Sequence, residues 1–430
     1  MRQVLFILCL LVKCVFAQMP VNDAQPLHRA QKALTAVIVH DIFSPPVASR
    51  IYAYANIAAY EVLVKENKGY HSLHGQVKTF PAIPAPTMKI NAPLAAIKAF
   101  LIVGNSLVFS EKMFEDSAKS VLAHFSETKL NPKVYEASLA YGKQVADSVM
   151  TWAAKDQYRE TRSLRRYNYL KQEGKWIPTP PVYMAAIEPY WNRIRPILLD
   201  SCSQFRAAPP PSYSTDKQSS FYQQAAEVYT IGKQLTNEQK SIASFWDCNP
   251  FAVTTEGHLN FAAKKISPGG HWISIAGVAC RKQNADIMKS AAVYTLTAIA
   301  LFDGFIICWD EKYRSNLIRP ETYINKYLDE DWRPLLQTLP FPEYSSGHSV
   351  ISTAAATVLT KCFGSSFEYN DDTEVEFGLP VKRFSSFKEA CDEAALSRLY
   401  GGIHYRAAIE QGQVQGADLG NWIIKRIKLM

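Results

Sequence analysis

The sequence predicts an all-α fold, and three observations lead to this class. Apolar residues recur at helical spacing through most of the 430 residues, whereas the alternating pattern of strands is almost absent. Hydrophobic residues make up 48% of the chain, enough for a large core in two domains or in one extended helical body. The stretch from Met288 to Ile318 is long and strongly apolar, which is typical of a helix buried at the centre of a domain.

The N-terminal half contains four segments with helical periodicity. They are Leu27–Phe43, Val47–Val64, Ala92–Phe109 and Pro132–Ala154. Ser44-Pro45-Pro46 separates the first two, because proline interrupts a helix. Proline-rich stretches at 175–181 and 209–211 mark irregular segments, and the stretch 198–217 is predicted to link the two halves.

The C-terminal half begins with two predicted helices, Phe221–Leu235 and Asn237–Trp246, and Thr236 is placed to cap the second. The next segment is predicted to be a loop because of its helix-breaking residues, which are Pro250, Gly257, Pro268, Gly269 and Gly270. We therefore expect an N-terminal helical half over 18–210 and a C-terminal half over 211–430.

The first 17 residues have the pattern of a secretory signal peptide. Arg2 precedes an apolar run over 4–12, and Val15-Phe16-Ala17 offers small residues for cleavage after Ala17. The run is too short for a bilayer core of about 30 Å, and no later window appeared uninterrupted enough to span one. Lys13 argues against acylation of Cys14. We expect a secreted or periplasmic protein without a membrane span.

Charge and cysteine usage exclude several classes of protein. The net charge of +8 is spread along the chain rather than gathered into a basic block, so nucleic acid is not an expected partner. The cysteines beyond the leader are widely scattered, and no spacing typical of a zinc site occurs. An oxidising compartment would allow one or two disulfides, whose pairing the sequence leaves open.

The first group of candidate site residues follows the central apolar segment. Trp309, Lys312 and Arg319 are three and seven residues apart and are predicted to share one helical face. Pro320 disfavours helical geometry at Arg319, which places that side chain at a helix end facing a cleft. Taken alone, this pattern is more typical of a solvated basic face.

The second group is Phe341-Pro342-Glu343-Tyr344-Ser345-Ser346-Gly347-His348, which leads into a helical run. Ser346, Gly347 and His348 are therefore predicted to form a helix entrance, where free N–H groups and the helix dipole favour an anion. By itself the segment also fits an ordinary serine cap with a surface histidine.

The third group is Ser397-Arg398-Leu399-Tyr400-Gly401-Gly402-Ile403-His404. A helix from Phe387 is predicted to end at the glycine pair, and another to start near His404. Arg398 and His404 could then face one ligand from either side of the break. A lone histidine in such a segment is more often a packing residue.

The three groups in this order resemble the signature motifs shared by vanadium-dependent haloperoxidases and type 2 phosphatidic acid phosphatases. The matching segments are 312–320, 346–348 and 397–404. Looser similarity to bacterial iodoperoxidase-like members extends upstream to Ser44-Pro45-Pro46, Trp176-Ile177-Pro178-Thr179-Pro180 and Pro189-Tyr190-Trp191. The resemblance implies packed helical bundles, with the family core over about 285–425.

The resemblance also implies roles for particular residues. Vanadate, or phosphate in the same site, would be held by Lys312, Arg319, Ser346, Gly347, Arg398 and His404. A ring nitrogen of His404 would bond to vanadium, or attack phosphorus in a phosphatase, and His348 would act as acid and base. Trp309 and Phe341 would line a halide pocket, although core packing explains them equally well.

The implied reaction is oxidation of iodide or bromide by hydrogen peroxide to hypohalous acid, with vanadium acting as a Lewis acid. A secreted acid phosphatase that hydrolyses phosphate esters through a phosphohistidine is the alternative. A passive oxyanion-binding protein is a third interpretation, against which the two histidines argue.

Two features of the motifs depart from the family pattern or stay open. Ser345 replaces a proline usual in the second motif, which predicts a looser loop. Glu410 and Asp418 are guesses for the carboxylate that orients His404.

Overall fold

The computed structural model describes residues 23–126, 130–256, 259–262 and 264–429. In this part of the chain the fold is helical apart from two small hairpins, which confirms the predicted class. The helices are α1 (Gln25–His40), α2 (Pro45–Leu63), α3 (Ala92–Asn105), α4 (Glu111–Ser126), α5 (Pro132–Ala153), α6 (Tyr158–Arg162), α7 (Ser220–Lys233), α8 (Asn237–Phe245), α9 (Pro268–Lys282), α10 (Ile287–Ser315), α11 (Pro320–Tyr327), α12 (Gly347–Phe363), α13 (Phe387–Tyr400) and α14 (Arg406–Arg426). The predicted leader lies outside the described residues and stays a prediction.

Four short strands form the two hairpins. They are β1 (Val253–Glu256), β2 (Leu259–Ala262), β3 (Tyr369–Asp371) and β4 (Lys382–Phe384). β1 pairs antiparallel with β2, and β3 pairs antiparallel with β4. The sequence prediction missed both pairs because strands of three or four residues are too short to show alternation.

Most predicted helices are confirmed to within a few residues at each end. Thr236 caps α8 as expected, and it forms a capping box with Gln239. The predicted loop is wrong from Pro268 onward, because Pro268 starts α9 and Gly270 lies in its first turn. A Cβ at Gly270 would lie 2.9 Å from the Tyr52 hydroxyl oxygen. This glycine therefore permits close packing against α2 rather than a turn.

Helix α10 holds the two halves of the protein together. It packs against α2 of the predicted N-terminal half and against α9, α12 and α14 of the predicted C-terminal half. Among the described residues, α10 is long and apolar enough to cross a membrane, contrary to our expectation from the sequence. However, 94% of its most apolar window is buried inside the fold, as in the core helix of a soluble protein. The buried apolar cluster includes residues of both halves, and the division at residue 210 stays a prediction.

Asp303 fixes the chain between the two halves onto α10. Its carboxylate accepts the backbone N–H groups of Ile197 at 2.8 Å, Leu198 at 2.8 Å and Leu199 at 3.2 Å. Burial raises the pKa of this carboxyl to about 6, and the three N–H donors act in the opposite direction. Asp303 is therefore ionised at neutral pH and anchors the segment that leads towards the active-site half.

We expect Asp303→Ala to lower the free energy of unfolding by about 3 kcal/mol or more, because three buried N–H groups would lose their acceptor. Urea denaturation followed by circular dichroism would measure the change. Asp147→Ala is the matched control, since the Asp147 carboxylate is exposed and pairs with Lys143 one turn away; it should cost about 0.5 kcal/mol or less. A similar loss in both variants would contradict the anchoring role.

Candidate active site

The end of α10 and the start of α11 supply the first group of predicted site residues. Trp309 and Lys312 lie in the last turns of α10, which ends before Asn316. Asn316 has a φ of 49° and donates its N–H to the Lys312 carbonyl oxygen at 2.8 Å. The prediction that Arg319 continues the same helical face is therefore wrong. Arg319 has extended backbone geometry directly before Pro320 and caps α11, as expected for a residue that precedes proline.

The N-terminus of α12 supplies the second group. Ser346 caps this helix, and its hydroxyl oxygen accepts the Ser349 N–H at 3.4 Å. Gly347 and His348 are the first two residues of α12 and line a cavity. A Cβ at Gly347 would meet its nearest side-chain atom in Trp309 at 3.7 Å, an ordinary contact. Packing does not require glycine here, so its effect is to leave the cavity side of the helix entrance open to a ligand.

The break between α13 and α14 supplies the third group. Arg398 lies near the end of α13, and Gly402 follows in the left-handed region with a φ of 75°. A Cβ at Gly402 would lie 3.1 Å from both Trp332 and Pro334, so this position requires glycine on two grounds. The chain thereby turns sharply and places His404 immediately before α14.

These groups meet around one narrow cavity with about 350 Å³ of space between its atoms, including the opening to solvent. Of the predicted residues, Trp309, Phe341, Gly347, His348 and His404 line it directly. Pro45, at the start of α2, also lines it. The predicted N-terminal half therefore contributes to the wall. Two larger surface clefts contain none of the predicted site residues.

The hydrogen bonds of His404 define its protonation state. Its Nδ1 lies 2.8 Å from Glu343 Oε1, and its Nε2 lies 3.2 Å from Arg319 Nη1. A guanidinium group can only donate, so Nε2 accepts this hydrogen bond and carries no proton. The ring proton is therefore on Nδ1 and is donated to Glu343. The result is a neutral imidazole whose Nε2 carries a lone pair beside the Arg319 guanidinium.

Glu343 is the functional residue that sequence reasoning missed. Its Oε1 also accepts the Tyr405 N–H at 3.0 Å, so it positions both the ring and the backbone beside it. The suggested carboxylates Glu410 and Asp418 are wrong, because both are exposed on α14. No local pattern relates Glu343 to His404, since the two are 61 residues apart. The available signal was its place inside the second motif.

Lys312 holds the loop of the second motif by its backbone. The ammonium group donates to the carbonyl oxygens of Pro342 at 3.1 Å, Glu343 at 3.0 Å and Ser345 at 2.5 Å. These contacts use all three N–H groups of the lysine. Lys312 thus acts on the site through its charge and through the shape of this loop.

The two arginines are also fixed by backbone carbonyl groups. Arg319 donates from Nε to Phe341 O and from Nη1 to Ile403 O, both at 2.9 Å, but its Nη2 has no hydrogen-bond partner among the described residues. Arg398 donates from Nη2 to Trp246 O at 2.6 Å. Both side chains are therefore held in place before any ligand binds.

The site carries surplus buried positive charge. Lys312 and Arg319 are 0% exposed and Arg398 is 1% exposed. The nearby carboxylate of Glu343 is hydrogen-bonded to His404 and the Tyr405 N–H rather than paired with one of these cations. Burial lowers the pKa of Lys312 to about 8 and that of Arg319 to about 10, so both stay largely protonated at neutral pH. Uncompensated buried charge is costly, and a bound anion would relieve this cost.

Two other carboxylates, Glu311 and Asp247, are close enough to raise the pKa of Lys312 and of Arg398, respectively. Glu311 already forms an ion pair with Arg314, and Asp247 forms one with Lys265 at 2.5 Å. These carboxylates therefore do not neutralise the buried positive charge of Lys312, Arg319 and Arg398.

Both histidines are neutral in this environment. Burial is the main cause that lowers the pKa of His348 and of His404 well below the usual value, and neighbouring cations lower it further. The cations that lower the pKa of His404 are Arg319, Lys312 and Arg398. His348 Nε2 is buried without a hydrogen-bond partner among the residues described here, and its ring is hydrogen-bonded to the Trp246 backbone.

Ser345 does not leave the second motif loosely held. Its hydroxyl donates to Gln415 Oε1 at 2.5 Å, and Gln415 Nε2 donates to the Phe205 carbonyl oxygen at 2.8 Å. Ser345 is fully buried. These contacts argue against the looser loop that we expected from the missing proline. Hydrogen bonds restrain the segment here, where a proline ring would otherwise do so.

A bacterial vanadium-dependent iodoperoxidase of known structure is 48% identical to this chain, with a TM-score of 0.90. The match covers 95% of this chain and 97% of the iodoperoxidase. This chain belongs to the vanadium haloperoxidase family. It is therefore an enzyme, and the resemblance of its three motifs is confirmed at the level of the family.

Other comparisons agree with this membership in the vanadium haloperoxidases. Residues 292–430 match the family model of the VCPO second helical-bundle domain. Two structures of bacterial vanadium-dependent chloroperoxidase, with and without the cofactor, have TM-scores of 0.68. They are 15% and 16% identical and cover 90% and 89% of this chain, and 93% and 94% of their own, so they indicate a shared fold alone. No curated protein sequence matches this vanadium haloperoxidase.

Proposed function

We propose that this chain is a vanadate-dependent haloperoxidase that oxidises iodide or bromide with hydrogen peroxide to hypohalous acid. The observation that carries the proposal is the surplus of buried cations around a neutral His404 whose Nε2 lone pair is unprotonated. The 48% identity to an iodoperoxidase makes iodide the first halide to test.

Vanadate fits this set of donors. Arg319 Nη2 and His348 Nε2 are buried polar atoms without hydrogen-bond partners in the part of the chain that the structure describes, and the N-terminus of α12, where His348 lies, offers backbone N–H groups. Three fixed cations compensate the negative charge of a tetrahedral oxyanion. Bound vanadate would supply a Lewis acid that polarises hydrogen peroxide for attack by halide. Phosphate has a similar shape and charge and fits the same donors.

The residues of the chain prepare this chemistry in three ways. Glu343 holds the His404 ring with its unprotonated Nε2 beside the Arg319 guanidinium, where this nitrogen would be available to bond to vanadium. Lys312, Arg319 and Arg398 stabilise negative charge from fixed positions. His348 Nε2 faces the cavity without a partner and can give or take a proton there.

The aromatic wall of the cavity is the proposed halide site. Trp309 and Phe341 line the cavity with ring centroids 4.9 Å apart. The Lys312 Nζ lies 5.0 Å from the Phe341 ring centroid, and the Arg319 Cζ lies 5.1 Å from it. An apolar surface close to buried positive charge suits a large, polarisable anion such as iodide.

We propose export to the periplasm or the exterior, on the basis of the leader pattern alone.

The test is a paired assay on mature protein stripped of phosphate. Iodide and bromide oxidation by hydrogen peroxide is measured with and without added orthovanadate, beside hydrolysis of a chromogenic phosphate ester. We expect halide oxidation that depends on vanadate. Ester hydrolysis that vanadate inhibits, without halide turnover, would replace the proposal with a phosphatase. Binding of vanadate with neither reaction would leave a passive oxyanion binder.

Oxyanion binding is expected to take up a proton at His348. The pKa of the free imidazole is lowered well below its usual value, firstly by burial and then by Arg398, so the free ring is neutral. A bound anion favours the imidazolium and raises that pKa. Between the two pKa values the complex holds one more proton than the free protein, and affinity falls as the pH rises through the pKa of the complex.

Calorimetric titration with sulfate, whose own charge is constant near neutrality, would measure this uptake in mildly acidic buffers of different ionisation enthalpy. Uptake should approach about one proton per sulfate in the wild type at a pH well between the pKa of the free imidazole and that of the complex. His348→Gln should bind without it. Equal uptake in both proteins would assign the proton to another group.

A further inference from the structure

A second cluster of ligand-type side chains lies beside the active-site cavity. Cys248 follows α8, His271 lies in the first turn of α9, and Glu374 follows β3. All three are buried, and their sulfur, nitrogen and oxygen atoms lie within 4.8 Å of one another. The reaction proposed above uses none of them. Three separate segments of the chain therefore converge on one point without an assigned purpose.

The separations of these atoms match the edges of a zinc coordination tetrahedron. Cys248 Sγ lies 3.5 Å from His271 Nδ1 and 3.8 Å from Glu374 Oε1, and the nitrogen lies 3.1 Å from the oxygen. Tetrahedral Zn²⁺ with ordinary bond lengths requires about 3.6 Å between sulfur and nitrogen, about 3.5 Å between sulfur and oxygen and about 3.3 Å between nitrogen and oxygen. Each observed separation is within about 0.3 Å of these values, so the site is already close to the bound geometry.

His271 has the outer partner that metal-binding histidines usually have. Its Nε2 lies 2.7 Å from Asp371 Oδ2, and Asp371 Oδ1 accepts the Thr373 N–H at 3.0 Å. A proton on Nε2 donated to this carboxylate leaves Nδ1 with a free lone pair. Carboxylates in this position fix the ring orientation and make the ligand nitrogen more basic.

Buried carboxylates give this cluster negative charge. Asp371 Oδ2 lies 2.7 Å from His271 Nε2, and Glu374 Oε1 lies 3.1 Å from His271 Nδ1. Both carboxylates are buried. A divalent cation bound at this point would compensate their charge, and the ligand atoms would be deprotonated when they bind it.

We propose that Cys248, His271 and Glu374 bind a Zn²⁺ ion, with Asp371 as the residue that positions His271. The mixture of sulfur, nitrogen and oxygen ligands favours Zn²⁺ over Mg²⁺ or Ca²⁺, which prefer oxygen alone. Spacing along the sequence did not predict this site, since the ligands come from three elements. The proposal is independent of the halide reaction.

The ion stabilises one wall of the active site. The His271 ring stacks on Trp246, with centroids 4.6 Å apart and planes inclined by 22°. The carbonyl oxygen of Trp246 accepts the Arg398 guanidinium at 2.6 Å, and Cys248 itself lines the cavity beside His348. A metal bound at this cluster therefore fixes the backbone that positions a cation and an imidazole of the oxyanion site.

Cobalt titration of the metal-free, full-length mature protein tests the proposal. We expect one equivalent of Co²⁺ to give a thiolate charge-transfer band and the visible bands of a tetrahedral site, and Zn²⁺ to displace it. Cys248→Ser should lose the charge-transfer band. Cys280→Ser is the matched control, because Cys280 is a buried thiol of α9 outside the cluster. His404→Ala should also keep the charge-transfer band. This result would show that the cobalt ion does not bind at the oxyanion site.

Two further variants keep the test decisive if Cys248→Ser does not fold. Glu374→Gln should reduce the cobalt stoichiometry, and Asp371→Asn should keep one equivalent but weaken its affinity by about 10- to 100-fold. Circular dichroism confirms folding of each protein. A folded wild type that gives no thiolate band with Co²⁺, or a band that survives Cys248→Ser, would overturn the assignment.

Discussion

His404→Ala is expected to reduce vanadate-dependent halide oxidation by about 10³-fold or more, because the variant loses the imidazole nitrogen that is proposed to bond to vanadium. In the wild type, the Nδ1 proton is donated to Glu343, and Nε2 is left as an unprotonated nitrogen against Arg319. Rates of iodide oxidation at several vanadate concentrations would separate lost binding from lost turnover.

The control for this variant is its affinity for sulfate, measured by calorimetry. Lys312, Arg319 and Arg398 remain, so sulfate should still bind, and added imidazole should restore part of the halide activity by filling the space of the missing ring. A variant that folds and keeps more than about one tenth of the wild-type rate would contradict the role proposed for His404 in the reaction.

Glu343→Ala is expected to lower halide oxidation by about 10- to 100-fold, which is the usual effect of removing the partner of a metal-bound histidine. The change leaves the His404 Nδ1–H and the Tyr405 N–H without their acceptor. Each buried donor left unpaired costs about 1–3 kcal/mol of stability. Vanadate affinity should fall more than sulfate affinity, since sulfate does not bond to His404. That difference distinguishes positioning of the ring from a general loss of stability.

Two companion variants refine the result. Glu343→Gln keeps an oxygen acceptor of the same shape and should recover most of the stability and part of the activity. Glu61→Ala removes another fully buried glutamate, which accepts the Leu73 N–H and the Ser72 hydroxyl, and it should destabilise the fold without changing the ratio of vanadate to sulfate affinity. A ratio that stays at the wild-type value in Glu343→Ala would contradict the positioning role.

The helical part of the fold could be predicted from the sequence because its signals are local. Apolar periodicity located α1, α2, α5 and α10, and the cap of α8 was visible as a threonine three residues before a glutamine. The errors have local causes as well. Proline and glycine suggested a loop where they in fact start α9. Pro320 correctly predicted extended geometry at Arg319, but α10 ends earlier, before Asn316, so Arg319 does not continue its helical face.

The candidate site also has a part that local sequence signals predict and a part that they do not. Lys312, Arg319, His348, Arg398 and His404 could be predicted because each lies in a short motif at a helix end, where the residue type and its spacing carry the information. The residues that contact them could not be predicted from the sequence. Glu343 contacts His404 from 61 residues away, and the Trp246 carbonyl contacts Arg398 from 152 residues away.

The sequence by itself determined the helical class, the order of the three motifs and the identity of the cationic and imidazole groups. The tertiary structure decided which carboxylate orients His404, that Pro45 of the N-terminal half lines the cavity, and that Cys248, His271 and Glu374 meet. The reason is physical. Helix starts and ends depend on neighbours a few residues away, whereas these contacts depend on how α2, α9, α10 and α12 pack, which no local spacing encodes.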